Sequence, residues 1–219
     1  MGPAEQTKPP QLFQTLAGDQ APAWASPLIE CIRAEAEDPA SRYATLATVD
    51  NMGRPHARYV VVRGAMGFFP ADFISENQIN CSDLWLVTDA RSGKAKELQS
   101  NNAAELCWYF RRSRVQFRFS GTTEIYANQE CPVRNQAWNA ISEAARVQFH
   151  WPEPKATRDP FHEFEFTISE PANQPPATFL VVQLKIQEVD LLKLAGNPQN
   201  RYLYQLSEEQ QKIVREVNP

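Results

Sequence analysis

Glycine is scarce in this chain, with 8 in 219 residues, and the few present fall in none of the familiar ligand-binding patterns. No G-x-G-x-x-G, G-x-x-x-x-G-K-[ST] or G-x-S-x-G occurs, so a Rossmann crevice, a P-loop and an α/β-hydrolase nucleophile elbow have no signature here. Any nucleotide-like ligand must be held by another geometry. Cysteine is equally sparse: Cys31, Cys81, Cys107 and Cys131 lie far apart without a C-x-x-C pair, which removes zinc knuckles and thioredoxin-type motifs. The three histidines are scattered, and His162-Glu163-Phe164-Glu165-Phe166 has the period of a strand rather than H-E-x-x-H spacing, so no metal site is expected. No apolar run is long enough to cross a bilayer. Met1–Gln20 lacks the apolar core of a secretory signal, so the expectation is a cytoplasmic protein with reduced thiols. With a formal charge of -4 there is no general basic face, and neither nucleic acid nor membrane is expected as a partner.

Periodicity is better supplied. Residues 1–24 read as a weakly ordered lead-in, and residues 25–219 as one domain that begins with a helix at Ser26-Pro27 and ends it before Asp38-Pro39. From Tyr43 the period becomes two. Tyr43–Val49 and Pro55–Val62 flank the turn signal Asp50-Asn51-Met52-Gly53 and predict a β-hairpin. Residues 64–83 read as a long connection. Further strands are predicted at Leu84–Thr88, Glu105–Phe110, Val115–Ile125 and Phe179–Ile186, with weaker ones at Arg201–Leu206 and Ile213–Val217. Helices are predicted at Ser92–Asn101 and, continuously, at Pro132–Phe149. The sum is a mainly β (α+β) fold, an antiparallel split β-barrel with flanking helices.

The chemistry concentrates in three short polar groups on successive strands: Arg58 to Arg63 with Val60 between, Val87-Thr88 with Arg91-Ser92-Gly93-Lys94, and Gln116-Phe117-Arg118. The middle group decides the reading. An apolar strand stops at Thr88 and a helix starts near Ser92, a junction that presents unpaired N–H groups and a positive dipole end to an anion. Arg91 and Lys94 add charge, Thr88 and Ser92 add hydroxyls, and Gly93 allows close approach. A phosphomonoester suits such a site. Each part also has a plainer reading: an isolated Arg58/Arg63 pair suits surface ion pairs, and Thr88 and Ser92 suit a strand end and a helix cap. The ordered combination favours the site. Trp85, Trp108, Trp138 and Trp151 are assigned to core or dimer contacts, and Arg111-Arg112-Ser113-Arg114 to a charged hairpin turn.

These residues resemble the pyridoxamine 5′-phosphate oxidase superfamily of FMN-binding split barrels, and within it the oxidase-like flavoproteins without an assigned substrate. The resemblance runs from about Ser41 to Ile125, resumes at Asp190–Leu206 and includes the terminal Val217-Asn218-Pro219. It implies that Arg58, Val60, Arg63, Val87, Thr88, Arg91, Ser92 and Lys94 hold the phosphate and ribityl groups of FMN. It also implies that Gln116 and Arg201 approach the flavin ring, and that a homodimer holds the cofactor between subunits. Departures from the family are concentrated on the substrate side. The Arg-x-His that classical oxidases carry near the C-terminus is missing from Gly196–Asn200, and the helix after the Gln strand offers Trp138, Ser142 and Arg146 out of order. The resemblance therefore implies an FMN-dependent oxidoreductase with an altered substrate site and no identified general base. The alternatives are a true pyridoxamine or pyridoxine phosphate oxidase, with Arg146 or Arg112 compensating, and a non-catalytic flavin-binding protein.

Overall fold

In the computed structural model, which describes residues 22–65, 68–161, 163, 164, 167, 174–206 and 212–219, strands dominate, with clear inward–outward alternation in those at 43–49, 103–110 and 115–126. They are β1 (Tyr43–Val49), β2 (Pro55–Val61), β3 (Arg63–Gly64), β4 (Leu84–Asp89), β5 (Ala103–Phe110), β6 (Val115–Tyr126), β7 (Phe179–Lys193), β8 (Asn200–Leu206) and β9 (Lys212–Val217). The helices are α1 (Ala25–Ala34), α2 (Ala71–Glu76), α3 (Gly93–Ser100), α4 (Pro132–Ala140) and α5 (Glu143–Arg146). All pairings are antiparallel, in the order β2-β1-β5-β6-β7-β4-β3, with β8 and β9 branching from β7. Because β3 follows β2 after a single residue, the segment 55–64 meets β1 at one end and β4 at the other, and the sheet curls back on itself.

The continuous apolar run Leu84-Trp85-Leu86 follows from burial on both faces. Leu84 and Leu86 join Leu46, Leu106, Phe117, Phe119 and Val182 in the barrel core, into which α1 presents Leu28 and Ile32 and its N-cap residue Trp24. Trp85, pointing the other way, joins Phe69, Trp138, Phe149, Phe179 and Val181 beneath α2 and α4. β7 divides its residues the same way, which is why it too reads as unbroken apolar sequence.

Several boundaries differ from the sequence reading. Residues 64–83 contain the end of β3 and the whole of α2. The predicted helix 132–149 breaks at Ile141, which is extended (φ -89°, ψ 151°). Arg146 then folds back to donate to the carbonyls of Ile141 and Asn139 at 3.1 and 2.9 Å, occupying acceptors that a continuing helix would have used. β7 runs seven residues beyond the predicted Ile186, through a bulge where Ser120 pairs with Glu188 but Gly121 pairs with Ile186. Gly121 is required there, since a Cβ would stand 1.9 Å from the carbonyl oxygen of Lys185. Of the lead-in at 1–24, only residues 22–24 are described, and Trp24 is fully buried against Phe119. The strand pattern at 162–166 lies largely outside the described residues.

Candidate functional site

β4 ends at Asp89 and α3 begins after Ser92, whose hydroxyl accepts from the Ala95 N–H at 3.4 Å as an N-cap. That cap fixes the hydroxyl beside Thr88, with the two side-chain oxygens 3.2 Å apart. Lys94, the second residue of the helix, donates from Nζ to Thr88 Oγ1 at 3.0 Å. Its partner is thus a neutral hydroxyl. Burial and the nearby charge of Arg58 push the ammonium below its ordinary pKa, the signature of a cation that an anion would stabilise.

A cavity of about 940 Å³ opens over this junction. It is lined by Val60, Arg63, Val87, Thr88 and Lys94, by Arg42, Tyr43 and Tyr59, and by a wall drawn from the stretch between Ser142 and Asp159 together with Phe164. Arg63 lies over the Phe68 ring at 5.4 Å, and no acidic partner for it is found among the described residues. Burial, reinforced by Arg42, lowers its pKa as well. Two desolvated cations thus face one cavity, an arrangement that selects for a bound anion.

The remaining sequence-predicted residues are placed elsewhere. Arg58 sits behind the cradle, where its guanidinium donates to Glu97 of α3 at 2.6 Å, to Thr48 Oγ1, and to the carbonyls of Leu46 and His56. Burial alone would raise the Glu97 carboxyl, yet the Thr48 hydroxyl and Arg58 hold it below its ordinary pKa. Arg91 pairs with Asp89 at 2.6 Å and donates to the Trp151 carbonyl at 2.9 Å, so its charge is already committed. Gly93 is not forced by crowding, because an added Cβ would make only ordinary contacts. Gln116 and Arg201 lie on the outer sheet face in one cross-strand row, each opposite Leu192, and neither lines the cavity. Arg201 forms a two-pronged pair with Asp190 at 2.6 and 2.9 Å, which Arg118 also contacts at 3.1 Å. Sequence reasoning missed Arg42 and, apart from Ser142, the wall residues between 144 and 159. Arg42 had a signal in its place just before β1; the wall had none beyond its prolines.

A curled antiparallel barrel with an anion cradle at a strand-to-helix junction defines the class of FMN-binding split barrels, and the comparisons agree. Residues 21–127 match the family described as pyridoxamine 5′-phosphate oxidase, FMN-binding domain. The chain is 33% identical to a pyridoxamine 5′-phosphate oxidase-related, FMN-binding protein of Nostoc punctiforme, whose crystal structure superposes with a TM-score of 0.78 over 90% of this chain and 98% of that one. The chain belongs to the pyridoxamine 5′-phosphate oxidase-like FMN-binding family. It is also 28% identical over 185 residues to pyridoxine/pyridoxamine 5′-phosphate oxidase 2 of Arabidopsis thaliana, covering 82% of this chain and 87% of that protein. PhzG of Burkholderia lata, at 15% identity, shares the fold with a TM-score of 0.65 over 92% of this chain and 95% of that one.

Proposed function

We propose that the protein is an FMN-dependent oxidoreductase whose substrate site differs from that of a pyridoxamine phosphate oxidase. The observation that carries this reading is the convergence of Thr88, Lys94 and Arg63 on one cavity, with both cations desolvated and neither paired to a carboxylate among the described residues. These groups suit a phosphate monoester at one end of a ligand. A 940 Å³ cavity is at the upper end of the size range of small-molecule sites and leaves room for a flavin and a second molecule.

Bound there, FMN would supply the hydride or electron chemistry, and the chain's part is to hold and orient it. Ser92, held by its capping role, fixes the Thr88 hydroxyl, and Thr88 in turn fixes Lys94. Arg58, braced by Glu97, adds positive potential from behind, while Val60 and Val87 give an apolar floor. No side chain of the cavity is assigned as a general base.

Gln116 and Arg201 take part in this reading through a second copy of the chain. The outer sheet face that carries them also exposes Tyr43, Tyr59 and Tyr109, at 50%, 76% and 47%. Tyr43 and Tyr59 stand in the cavity wall as well. An exposed aromatic face continuous with an incomplete site suits a homodimer in which each copy closes the other's cavity.

The altered substrate side is favoured over the true oxidase by two observations. Arg146 is spent on the carbonyls that end α4 and lies over the Trp138 ring at 5.6 Å. Arg112 donates to the Ala34 carbonyl at the β5–β6 turn. Neither is available to replace the missing Arg-x-His. The deciding experiment is the visible absorption spectrum of the purified protein, followed by release and identification of the chromophore. Flavin bands with FMN released are expected. A colourless protein that takes up no added FMN would end the flavin reading.

A further inference from the structure

Arg91, predicted for the cradle, does not line the cavity, and its strong interactions join its own turn to the chain around Trp151. Its backbone N–H donates to Asp89 Oδ1 at 2.7 Å, and its guanidinium meets the same carboxylate through Nε at 3.0 Å and Nη2 at 2.6 Å. Nη2 also donates to the Trp151 carbonyl, sixty residues further along, at 2.9 Å. The same turn makes a second stitch: Ala90 N–H donates to the Thr178 carbonyl at 2.8 Å, and the Thr178 hydroxyl donates to the Phe149 carbonyl at 2.7 Å. Residues 149 and 151 lead directly into the wall formed by residues 151–154 and 156–159. A further link from α3 to this wall, the ion pair of Lys96 with Glu153 at 3.9 Å, is exposed on both sides and contributes little.

We propose that Arg91 is a positioning residue that hangs the substrate-side wall from the turn leading into the phosphate cradle. Only a planar guanidinium reaches both acceptors at once: a carboxylate on its own turn fixes the fork, and the free edge of Nη2 takes the carbonyl. Because Asp89 and Trp151 both line the cavity, the contact sets the width between the cradle and the opposite wall. An anion that orders the turn 88–94 therefore also orders the wall, and the coupling is reciprocal. The proposal takes the cavity to be the flavin site, but its first test does not depend on that.

Arg158 lies in the wall and Lys155 between two of its residues, and both are exposed, so trypsin reports the wall's attachment directly. Wild type, Arg91→Ala and Arg91→Lys are digested without ligand, cleavage after residues 155 and 158 is resolved by mass spectrometry, and the thermal midpoint is recorded in parallel. Arg91→Ala is expected to be cut at those bonds about ten-fold faster with a nearly unchanged midpoint, because the opening is local. Arg91→Lys, which keeps one of the two contacts, should restore part of the protection. Repeating the digestion with FMN should protect the wall in wild type and much less in Arg91→Ala, while FMN affinity changes by less than about three-fold. Equal cleavage rates in wild type and Arg91→Ala would overturn the proposal, as would a large loss of FMN affinity without added cleavage, which would make Arg91 a cofactor ligand. If Arg91→Ala does not fold, Arg91→Lys decides: intermediate cleavage supports the role and wild-type cleavage refutes it. Should wild type bind no FMN, the flavin reading fails while the ligand-free digestion still tests Arg91.

Discussion

Asp83 offers a titration that isolates one buried carboxylate. It is 4% exposed at the start of β4, where Gln183 Nε2 donates to it at 2.6 Å and the Ile186 N–H donates at 3.3 Å. Burial outweighs those two donors and the charge of Lys185, so its pKa rises from 3.8 to about 6. A raised folded-state value means that folding favours the protonated acid. Its contribution to stability is full below the unfolded pKa and is lost as the pH climbs through the folded one. Two pKa units correspond to about 3 kcal/mol, most of it surrendered between about pH 4 and pH 7. Other carboxylates titrate too, with Asp50 and Glu97 shifted downward and therefore opposite in sign. The informative quantity is thus the difference between wild type and Asp83→Asn, measured by urea unfolding at successive pH values. Asn cannot ionise, so the variant should gain on wild type by about 2 to 3 kcal/mol as the pH goes from 4 to 7, which thermal unfolding of the same samples would show as roughly 4 to 12 °C in Tm. A constant difference across that range would refute the assignment of a buried, proton-favouring carboxyl at this position.

Other perturbations follow from the same geometry. Replacing Arg63 and Lys94 together by Ala removes both desolvated cations, and flavin affinity should drop by about a hundred-fold or more in a fluorescence titration; an unchanged affinity would move the site elsewhere. Gly121→Ala drives a Cβ into the Lys185 carbonyl, and a loss of about 3 kcal/mol in chemical denaturation is expected. Glu35, 3% exposed, receives the Arg112 N–H at 2.7 Å and the Ser113 N–H at 3.4 Å, so Glu35→Ala should cost about 2 kcal/mol by leaving those donors unsatisfied at the α1–hairpin junction. For the proposed homodimer, sedimentation velocity of Tyr59→Arg should show a shift toward monomer, together with weaker flavin retention.

Much of the barrel could be read from period alone. The hairpin β1–β2, the stop at Thr88 and the Ser92 cap are local features, set by residues within a few positions of one another. The break at Ile141 was not legible, because what ends α4 is the return of Arg146 to its last carbonyls rather than a proline or glycine. The second half of β7 was hidden by the bulge at Gln187, which changes the alternation just where Glu188 and Asp190 put polar side chains on the outer face. Trp24 escaped because one aromatic in a polar stretch has no period. At the site, residue types were legible while partners were not: Arg58 finds Glu97 39 positions away, and Arg91 finds Trp151 60 positions away. A cation's role is decided by which acceptor reaches it first, and that information is tertiary.

The strand β7 touches β6 along its length, β4 over its first half and β8 over its second. For a chain emerging from the ribosome, this makes residues 179–193 the late keystone of the sheet. Until they are made, β4 and β6 each expose an unpaired edge flanked by large apolar side chains, and α1 has only part of the core to cover. The pairing of β7 with β4 joins residues 90 to 100 positions apart and that with β6 residues 55 to 78 apart, long-range closures that slow the final step. Aggregation during synthesis should therefore depend on how quickly residues 179–193 follow β4 and β6, a vulnerability written into the order of the strands rather than into their stability.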